Sequence, residues 1–184
     1  MRLFAGIDLP TEVRERVAAL LSGLRPYARL NWSPAENLHI TTKFIGEWPE
    51  PRLDAMVAAL RSLPPRPPIG IALRGLGWFP NVHAPKIFWV GVEADGGLAE
   101  LARHTDETVA RLGVPLERRP FSPHLTLARI REKVPLARLQ EAVAALAAED
   151  FGEFTAGSFH LFLSKTAPSG SVYSKLAEFP LARS

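Results

Sequence analysis

The sequence predicts an α+β protein that is bilobed and internally duplicated, with mainly antiparallel sheets facing a central cleft and helices outside. Two observations indicate this fold. Short apolar segments typical of strands alternate with segments whose apolar residues recur at helical spacing. The order β-α-β-α-β then occurs twice, with equivalent positions 85 residues apart. Such a period is too long for a solenoid, and two such units fit one domain with a pseudo-two-fold axis.

The first repeat covers approximately residues 2–79. Its apolar start predicts a buried strand, and the next segment has Pro10 and Glu12 at a helix start, followed by an apolar stripe from Val13 to Leu24. Gly46 is expected to close the second strand. The predicted elements are a strand at 2–9, a helix at 10–24, a strand at 37–46, a helix at 51–63 and a strand at 69–79.

The second repeat covers approximately residues 86–165 and has the same order. Gly113 is expected to stop its first helix. A last strand at 171–181 follows the turn "APSG", and we expect residues 1–184 to form a single domain. The elements predicted for the second repeat are a strand at 86–93, a helix at 97–113, a strand at 124–130, a helix at 136–149 and a strand at 151–165.

Composition excludes several classes of protein and site. Hydrophobic residues make up 47% of the 184 residues and charged residues 22%, as in soluble globular proteins. No apolar run is long enough for a membrane span, and Asp8 interrupts the apolar start, so no signal peptide is expected and the cytoplasm is the predicted location. The absence of cysteine rules out disulfides, thiolate nucleophiles and cysteine-ligated metals. The net charge of +3 is a weak indication of an anionic partner.

Each repeat contains a histidine, one apolar residue and a threonine in its second strand. The two motifs are His39 to Thr41 and His124 to Thr126. In a strand, residues i and i+2 point to the same face, so each motif presents an imidazole beside a hydroxyl. One such pair is a weak signal, because a polar pair on a solvent-exposed face explains it. Two pairs in corresponding strands of a duplicated unit predict one cleft lined by all four side chains.

Two facing histidines suit proton transfer. With an ordinary pKa of about 6.5, one ring can accept a proton while the other donates one near neutral pH. The threonine hydroxyls can bind the oxygens of an anion, and an added arginine would suit a phosphodiester transition state. Zinc is the alternative use of two histidines, but it needs a third or fourth ligand, and no H-x-x-x-H or carboxylate cluster accompanies them. We therefore expect no metal and no other cofactor.

Stretches along the whole chain resemble the 2H phosphoesterases, a superfamily named after two H-x-T-x motifs. The resemblance is strongest to the bacterial and archaeal RNA 2′,3′-cyclic phosphodiesterases, the LigT-like (ThpR) or 2′-5′ RNA ligase family. It implies metal-independent hydrolysis of RNA or nucleoside 2′,3′-cyclic phosphates to 2′-phosphomonoesters and, in reverse, ATP-independent 2′-5′ joining of RNA ends. The matching stretches are "LFAGIDLP", "PAENLHITTKFIGE", "GWFP" with "PKIFWVGV", "RPFSPHLTLARI" and "LFLSK" with "YSKLAEFPL".

The resemblance also implies a role for each motif residue. It makes His39 the general acid that protonates the leaving ribose O3′. It makes His124 the general base that activates water against the cyclic phosphate. Thr41 and Thr126 would hold phosphate oxygens.

Arg129 and Phe44 occupy equivalent positions, each five residues after a histidine. The resemblance implies that Arg129 binds the phosphate and that Phe44 stacks on the nucleobase. Strict alternation places both on the face opposite the histidines, so they reach the cleft only if the strands bulge, twist strongly or end nearby. Lys43 shares the strand parity of His39 and Thr41, and we expect it either beside the phosphate or in solvent.

Three other aromatic residues are candidates for the cleft wall. Phe121, in "RPFSPH", either lines the site near His124 or packs in the core. Trp32, before "SPAENLH", is a candidate base-binding residue, although packing is the commoner role of such a tryptophan. Tyr173 follows the turn "APSG" and is a candidate to approach the cleft.

Two alternative functions stay open. The same site could act on another nucleotide, such as ADP-ribose cyclic phosphate or a 2′-5′ oligoadenylate. The chain could instead be a non-catalytic module that binds RNA ends, although both intact H-x-T motifs and Arg129 argue against lost catalysis. The expected partners are RNA with 2′,3′-cyclic phosphate ends or small cyclic nucleotides, without a membrane, and the chain is expected to be a monomer.

Overall fold

The computed structural model describes residues 1–146 and 148–182. Within these ranges the chain forms nine strands and four α-helices. The strands are β1 (Arg2–Asp8), β2 (Asn31–Trp32), β3 (His39–Glu47), β4 (Ile69–Phe79), β5 (Ile87–Ala94), β6 (His124–Arg129), β7 (Asp150–Ala156), β8 (Ser158–Ala167) and β9 (Gly170–Pro180). The helices are α1 (Thr11–Leu24), α2 (Leu53–Arg61), α3 (Gly96–Ala110) and α4 (Ala137–Leu146).

The strands form one antiparallel sheet in the order β7-β4-β5-β6-β3-β1-β8-β9, with β2 added to β6. Two halves of four strands meet at its centre. We call β3-β1-β8-β9 the His39 half and β6-β5-β4-β7 the His124 half. In the described residues, the central strands β3 and β6 pair only through Ile40 and Leu125. The partner of β6 then becomes β2, in which Asn31 pairs with Arg129. The predicted fold class, a duplicated α+β protein with antiparallel pairing, is confirmed.

Each half takes one strand from the other sequence repeat. The strand β4 follows α2 of the first repeat but pairs with β5 and β7 in the His124 half. The strand β8 follows α4 of the second repeat but pairs with β1 and β9 in the His39 half. Neither repeat therefore completes its own half of the sheet, and the two halves depend on each other for backbone hydrogen bonds. A single domain over 1–184 and the repeat limits 2–79 and 86–165 stay predictions.

The prediction of one strand at 151–165 is wrong. The segment forms two strands, β7 and β8, which are separated at Gly157 and belong to different halves. The Gly157 carbonyl accepts a hydrogen bond from the Leu181 backbone N–H at 2.8 Å, so the break is tied to the end of β9. Both strands have their own buried residues, and an apolar pattern on its own does not reveal a change of partner strand.

The helices cover one face of the sheet, and the hydrophobic core lies between the helices and this face. Helix α1 buries the predicted stripe, including Val13, Val17 and Leu21. Alternate strand residues such as Leu3 and Ile7 face the same core. Burial of these side chains, at about 25 cal/mol per Å² of apolar surface, is the main stabilising contribution to the sheet–helix packing.

Predicted and observed helix ends differ by a few residues. Helix α3 ends at Ala110, and Gly113 follows with φ 100°, a conformation that favours glycine at a helix stop. Helix α2 begins only at Leu53, after a short 3₁₀ turn at Glu50–Arg52. The predicted last turn of the fourth helix includes Ala147, which lies outside the described residues.

None of the helices formed by the described residues has both the length and the apolar character needed to cross a bilayer.

Candidate active site

The two central strands bring both H-x-T motifs to one face of the sheet. Ile40 and Leu125 are directly paired, and both are fully buried against the helices. Because side chains alternate along a strand, the histidine and threonine of each motif lie on the opposite face. All four side chains are partly exposed there. The antiparallel register places His39 beside Thr126, and His124 beside Thr41.

A β-bulge at the same place in both strands brings Phe44 and Arg129 to the histidine face. In β3 the extra residue is Thr42, which has no partner on β1. In β6 it is Leu127, 85 residues later, which has no partner on β5. Each extra residue shifts the alternation by one position. The sequence analysis allowed Phe44 and Arg129 to reach the cleft if their strands bulge, and both strands do.

A glycine lies opposite the bulge of β3. A Cβ atom on Gly6 would lie 2.6 Å from the Ile40 carbonyl oxygen, closer than any side chain permits. Only glycine lets these two backbones approach so closely, so the bulge of β3 depends on a residue of the neighbouring strand. In the His124 half, a Cβ atom on Gly91 of β5 would overlap the carbonyl oxygen of Arg74 on β4, so this glycine permits the irregularity of β4 and not the bulge of β6.

The same backbone contact orients both histidine rings. His39 Nδ1 lies 2.7 Å from the Asn37 carbonyl oxygen, and His124 Nδ1 lies 2.8 Å from the Ser122 carbonyl oxygen. A carbonyl oxygen can only accept, so Nδ1 donates in both cases. In a neutral ring Nε2 is then unprotonated, which leaves it as the nitrogen available for proton transfer.

The His39 ring is enclosed by aromatic side chains. Its centroid lies 4.6 Å from Phe4, 5.8 Å from Phe162 and 5.2 Å from Tyr173, which meets it edge-on. The Thr41 hydroxyl donates to His39 Nε2 at 2.8 Å. Tyr173 therefore reaches the site, as the sequence suggested.

His124 has fewer neighbours. The Phe79 ring meets it edge-on at 5.0 Å, and Trp89 lies 5.1 Å beyond Phe79. Among the residues that the structure describes, His124 Nε2 makes no hydrogen bond. This nitrogen is thus free to approach a water molecule or a hydroxyl group.

Both histidines have lowered pKa values, for the same reasons. Burial is the largest cause at each ring, the hydrogen bond to the backbone carbonyl partly opposes it, and the positive charge of Arg129 lowers both further. The pKa of His39 falls to about 4, and that of His124 lies below its ordinary value of 6.5. Both rings are therefore mainly neutral at neutral pH. The bulge at Leu127 places Arg129 on the face that carries both rings, in agreement with the effect of its charge on both.

Phe44 lies on the His39 side of the cleft. Its side chain is 57% exposed, and its ring lies 6.4 Å from Phe4, the ring that also contacts His39. A large apolar ring with this exposure has a free face on which a planar group can stack.

The contacts of Phe121 and Trp32 are those of packing residues. Phe121 is half-buried against the core. Trp32 packs against the core edge-on to Phe88 at 6.1 Å, and its Nε1 donates to the Ala28 carbonyl oxygen at 3.1 Å. Base binding by either residue stays a prediction, without support from these contacts.

Both positions expected for Lys43 are wrong. The bulge at Thr42 turns the Lys43 side chain to the core face, where it is 5% exposed. Its Nζ binds the carboxylate of Asp106 on α3 at 2.6 Å and the Pro115 carbonyl oxygen at 2.8 Å. The same carboxylate accepts the Glu117 backbone N–H. Lys43 therefore ties β3 to α3 and to the segment that leads into β6.

Sequence reasoning missed a cavity of about 270 Å³ beside His39. Asp8, Arg14 and Lys175 line it together with Tyr173, and the Asp8 carboxylate accepts from both cations. These charged residues come from β1, α1 and β9, so no local sequence pattern joins them. The one available signal was Asp8, a charge in an otherwise apolar strand.

A larger depression of about 610 Å³ lies between β4, β5 and β7, at the far edge of the His124 half. Its lining includes the acidic residues Glu93, Asp95 and Glu153, and neither histidine. Size does not identify the reactive site here, because the orientated histidines, the hydroxyls and Arg129 converge elsewhere.

Within residues 1–146 and 148–182, no group of three or more histidine, cysteine, aspartate or glutamate side chains could hold a metal ion. Independence of metal stays a prediction.

The duplicated α+β fold and the paired H-x-T strands define the class of two-histidine phosphoesterases. Within this class, the chain belongs to the family described as LigT like Phosphoesterase, which matches residues 7–89 and again residues 90–173. The two successive matches agree with the internal duplication that the sequence predicts.

The most informative relatives cover almost the whole chain. An RNA 2′,3′-cyclic phosphodiesterase of Archaeoglobus fulgidus is 34% identical over 179 residues, which are 97% of this chain and 99% of that protein. The crystal structure of TT0787 of Thermus thermophilus is similar with a TM-score of 0.83 and 32% identity, covering 98% of each chain. E. coli LigT complexed with 3′-AMP is similar with a TM-score of 0.78 and 26% identity, covering 99% of this chain and 98% of that one.

Proposed function

We propose that this protein hydrolyses 2′,3′-cyclic phosphates at RNA ends, or on small nucleotides, to 2′-phosphomonoesters, with His39 and His124 as the proton-transfer pair. The observation that carries the proposal is the equivalent orientation of the two rings, each with Nδ1 bonded to a backbone carbonyl and Nε2 left for chemistry. The names of the full-length relatives support the cyclic phosphodiesterase activity.

The reaction needs one proton transfer on each side of the phosphorus. Nε2 of His124 takes a proton from water as the water oxygen forms a bond to phosphorus. The bond between phosphorus and O3′ breaks, and O3′ takes the proton carried by Nε2 of His39. The product keeps the phosphate on O2′, and exchange with solvent resets both rings. Each transfer contributes roughly 10²–10⁴ in rate.

The remaining polar groups bind the charge that develops on the phosphate. Thr41 and Thr126 present hydroxyl groups on the histidine face, and Arg129 reaches the same face because of the bulge at Leu127. Pre-orientated donors stabilise the transition state more than the ground state, because its oxygens carry more negative charge. On the other side of the cleft, the exposed ring of Phe44 offers a stacking surface for the base.

The acid role of His39 requires a change when substrate binds. In the free protein, its Nε2 accepts the Thr41 hydroxyl and its pKa is about 4. An anionic phosphate next to the ring favours the charged imidazolium, which then donates from Nε2. Loss of the Thr41 hydrogen bond to Nε2 frees this hydroxyl to bind a phosphate oxygen.

The finer expectations remain predictions. These are an RNA end rather than another nucleotide as the substrate, reversible 2′-5′ joining of RNA, a monomeric state and a cytoplasmic location. ADP-ribose cyclic phosphate and 2′-5′ oligoadenylates are the alternative substrates, and an RNA-end-binding module without turnover is the alternative function.

Chromatography of the product tests the proposal directly. The protein is mixed with an oligoribonucleotide that ends in a 2′,3′-cyclic phosphate, in the presence of a metal chelator, and the terminal phosphate is assigned to O2′ or O3′. We expect conversion to the 2′-phosphate, with loss of roughly 10²-fold or more in His39→Ala and in His124→Ala. His83→Ala is the matched control, because His83 lies exposed in a turn.

Ring opening at the wild-type rate by either His39→Ala or His124→Ala contradicts the proposed mechanism. Tight binding of the oligoribonucleotide by the wild-type protein without turnover supports the binding-module alternative instead. Faster turnover of ADP-ribose cyclic phosphate or of a 2′-5′ oligoadenylate transfers the same chemistry to that substrate.

A further inference from the structure

We propose that the cavity beside His39 binds the phosphate on the 5′ side of the reacting nucleotide, and that Lys175 is the residue that holds it. The inference rests on the proposed function, in which His39 protonates O3′. The ligand is a backbone phosphate of RNA, one linkage upstream of the cyclic phosphate. Lys175 is then a specificity residue that distinguishes an RNA end from a nucleoside cyclic phosphate.

The geometry of the substrate sets the direction in which the upstream RNA extends. In-line attack places water and the leaving O3′ on opposite sides of phosphorus, so O3′ and its ribose lie on the His39 side. O3′ is bonded to C3′, and the next carbon, C4′, carries C5′ and the upstream phosphate. The upstream phosphate therefore lies beyond His39, away from His124.

The cavity lies in that direction. Its lining includes His39, Asn37, Tyr173 and Lys175. The last two belong to β9, the strand of the His39 half that is farthest from the His124 half. Lys175 pairs with Phe162, whose ring contacts His39 at 5.8 Å, so Lys175 is held close to the histidine.

The polar groups of the cavity leave one cation available. Both terminal nitrogens of Arg14 are engaged, since they bind Asp8 and donate to the carbonyl oxygens of Ala35 at 2.6 Å and Leu38 at 3.2 Å. Within the described residues, Asp8 is the one hydrogen-bond or ion-pair partner of Lys175, whose side chain is 48% exposed. An ammonium group has three donors, so Lys175 can bind a phosphate oxygen while it keeps Asp8.

The charges that contact Asp8 favour an anion beside Lys175. Two cations, Arg14 and Lys175, contact one carboxylate, Asp8, so this cluster carries one net positive charge, although Glu36 brings the formal charge of the whole lining to zero. Burial acts to raise the pKa of Asp8, but the hydrogen bond from Lys175 and the charge of Arg14 outweigh it and hold this pKa below its ordinary value. Asp8 is therefore ionised near neutral pH and holds Lys175 in position. The only carboxylate besides Asp8 in the lining is Glu36, which is exposed at the rim.

Three adenosine substrates separate the contributions of the phosphate and the upstream base. They are adenosine 2′,3′-cyclic phosphate, the same compound with a 5′-phosphate, and the dinucleotide ApA ending in a 2′,3′-cyclic phosphate. We expect Lys175→Met to lower kcat/KM about tenfold on the second and third substrates, mainly through KM, and less than about twofold on the first. Lys175→Arg should restore most of the loss. Lys165→Met is the matched control, since Lys165 is an exposed lysine of the neighbouring strand outside the cavity.

Salt dependence gives a second readout that a structural role would not change. Because salt screens the contact between an exposed ammonium group and a phosphate, Lys175→Met should weaken the salt dependence of kcat/KM on the two substrates with an upstream phosphate. The salt dependence on adenosine 2′,3′-cyclic phosphate should stay as in the wild type.

Two kinetic outcomes overturn the inference. An equal loss on all three substrates makes Lys175 a structural residue, and a loss confined to the dinucleotide assigns the effect to the upstream nucleoside. If the wild-type protein opens none of the substrates, the proposed function fails, and equilibrium binding decides about the cavity. Adenosine 2′,5′-bisphosphate should then bind more tightly than adenosine 2′-phosphate to the wild type. If Lys175→Met keeps the same ratio of the two affinities as the wild type, the inference is overturned.

Discussion

Raising the pH from 7 to 8 should lower kcat/KM about tenfold on a nucleoside 2′,3′-cyclic phosphate. The active free protein carries one proton on the histidine pair, since one ring must donate and the other must accept. The pKa of His39 is about 4 and that of His124 is below 6.5, so above pH 6.5 the pair mainly lacks this proton. Each further pH unit then removes nine-tenths of the remaining active form. The maximum of kcat/KM is expected between pH 4 and 6.5.

The assay is an initial-rate measurement at substrate concentrations well below KM. The pH is varied from about 4.5 to about 8.5 at constant ionic strength, and the 2′-phosphate is separated by chromatography. The two limbs of the profile belong to the pair and not to one ring, because the rings share a site with Arg129. His39→Gln and His124→Gln should each remove the bell shape together with most of the activity.

A constant or rising kcat/KM between pH 7 and 8 would refute this reasoning. It would mean that the fully neutral pair is the active form, and that no histidine donates a proton to O3′. Circular dichroism at each pH separates a true acid limb from unfolding of the protein.

Three other predictions follow from the same contacts. Burial lowers the pKa of His39 to about 4, so below pH 6.5 the unfolded chain takes up a proton that the folded chain does not, and the free energy of unfolding falls as the pH decreases from 6.5 to 4. Urea unfolding should show that this group accounts for a loss of roughly 3 kcal/mol over this range, which is absent in His39→Gln. Arg129→Met should lower kcat about 10²–10³-fold. It should also move the alkaline limb of the pH profile to higher pH, since the charge of Arg129 lowers both histidine pKa values. Arg131→Met, at an exposed arginine, is the control, and an alkaline limb at the wild-type pH would contradict the placement of Arg129. Lys43→Met leaves Asp106 without its buried partner and should lower the free energy of unfolding by about 3–5 kcal/mol. Adding Asp106→Leu should restore most of this loss, and the pH profile of activity should not change. Slower turnover by Lys43→Met without a loss of stability would instead place the Lys43 charge at the active site.

The parts of the fold that depend on local pattern were predictable. Strand and helix positions follow from apolar periodicity, and the stripe of α1 is buried as expected. His39 and Thr41 share a face because they are two residues apart and precede the bulge at Thr42, and the equivalent argument holds for the second motif. The duplication then placed the two motifs together before any partner strand was known.

The parts that depend on a partner strand were not predictable. The bulge at Thr42 exists because Gly6 lets β1 approach, and it reverses the expected direction of Lys43. The break at Gly157 sends β7 and β8 to different halves, although the apolar pattern continues across it. The cavity beside His39 joins residues from three separate elements, so its charges become neighbours only in the folded chain.

The asymmetry of the two halves decides where the shared proton rests. Three aromatic rings surround His39, and its Nε2 already accepts the Thr41 hydroxyl, whereas His124 is more open with a free Nε2. Burial therefore depresses the pKa more strongly at His39, so in the one-proton form of the free protein the proton resides mainly on His124. This distribution, with His39 neutral and His124 charged, is the one required for the reverse reaction, in which His39 takes the proton from the attacking 3′-hydroxyl and His124 donates to the departing oxygen. Hydrolysis needs the opposite arrangement, and the phosphate charge, which is closest to His39 as the bond to O3′ breaks, supplies the energy for that exchange. Variants that open the aromatic enclosure, such as Tyr173→Ala, should therefore raise the pKa of His39 and shift the acid limb of the hydrolysis profile to higher pH, while the alkaline limb, which belongs mainly to His124, stays in place. NMR titration of the His39 ring would detect the change in its pKa.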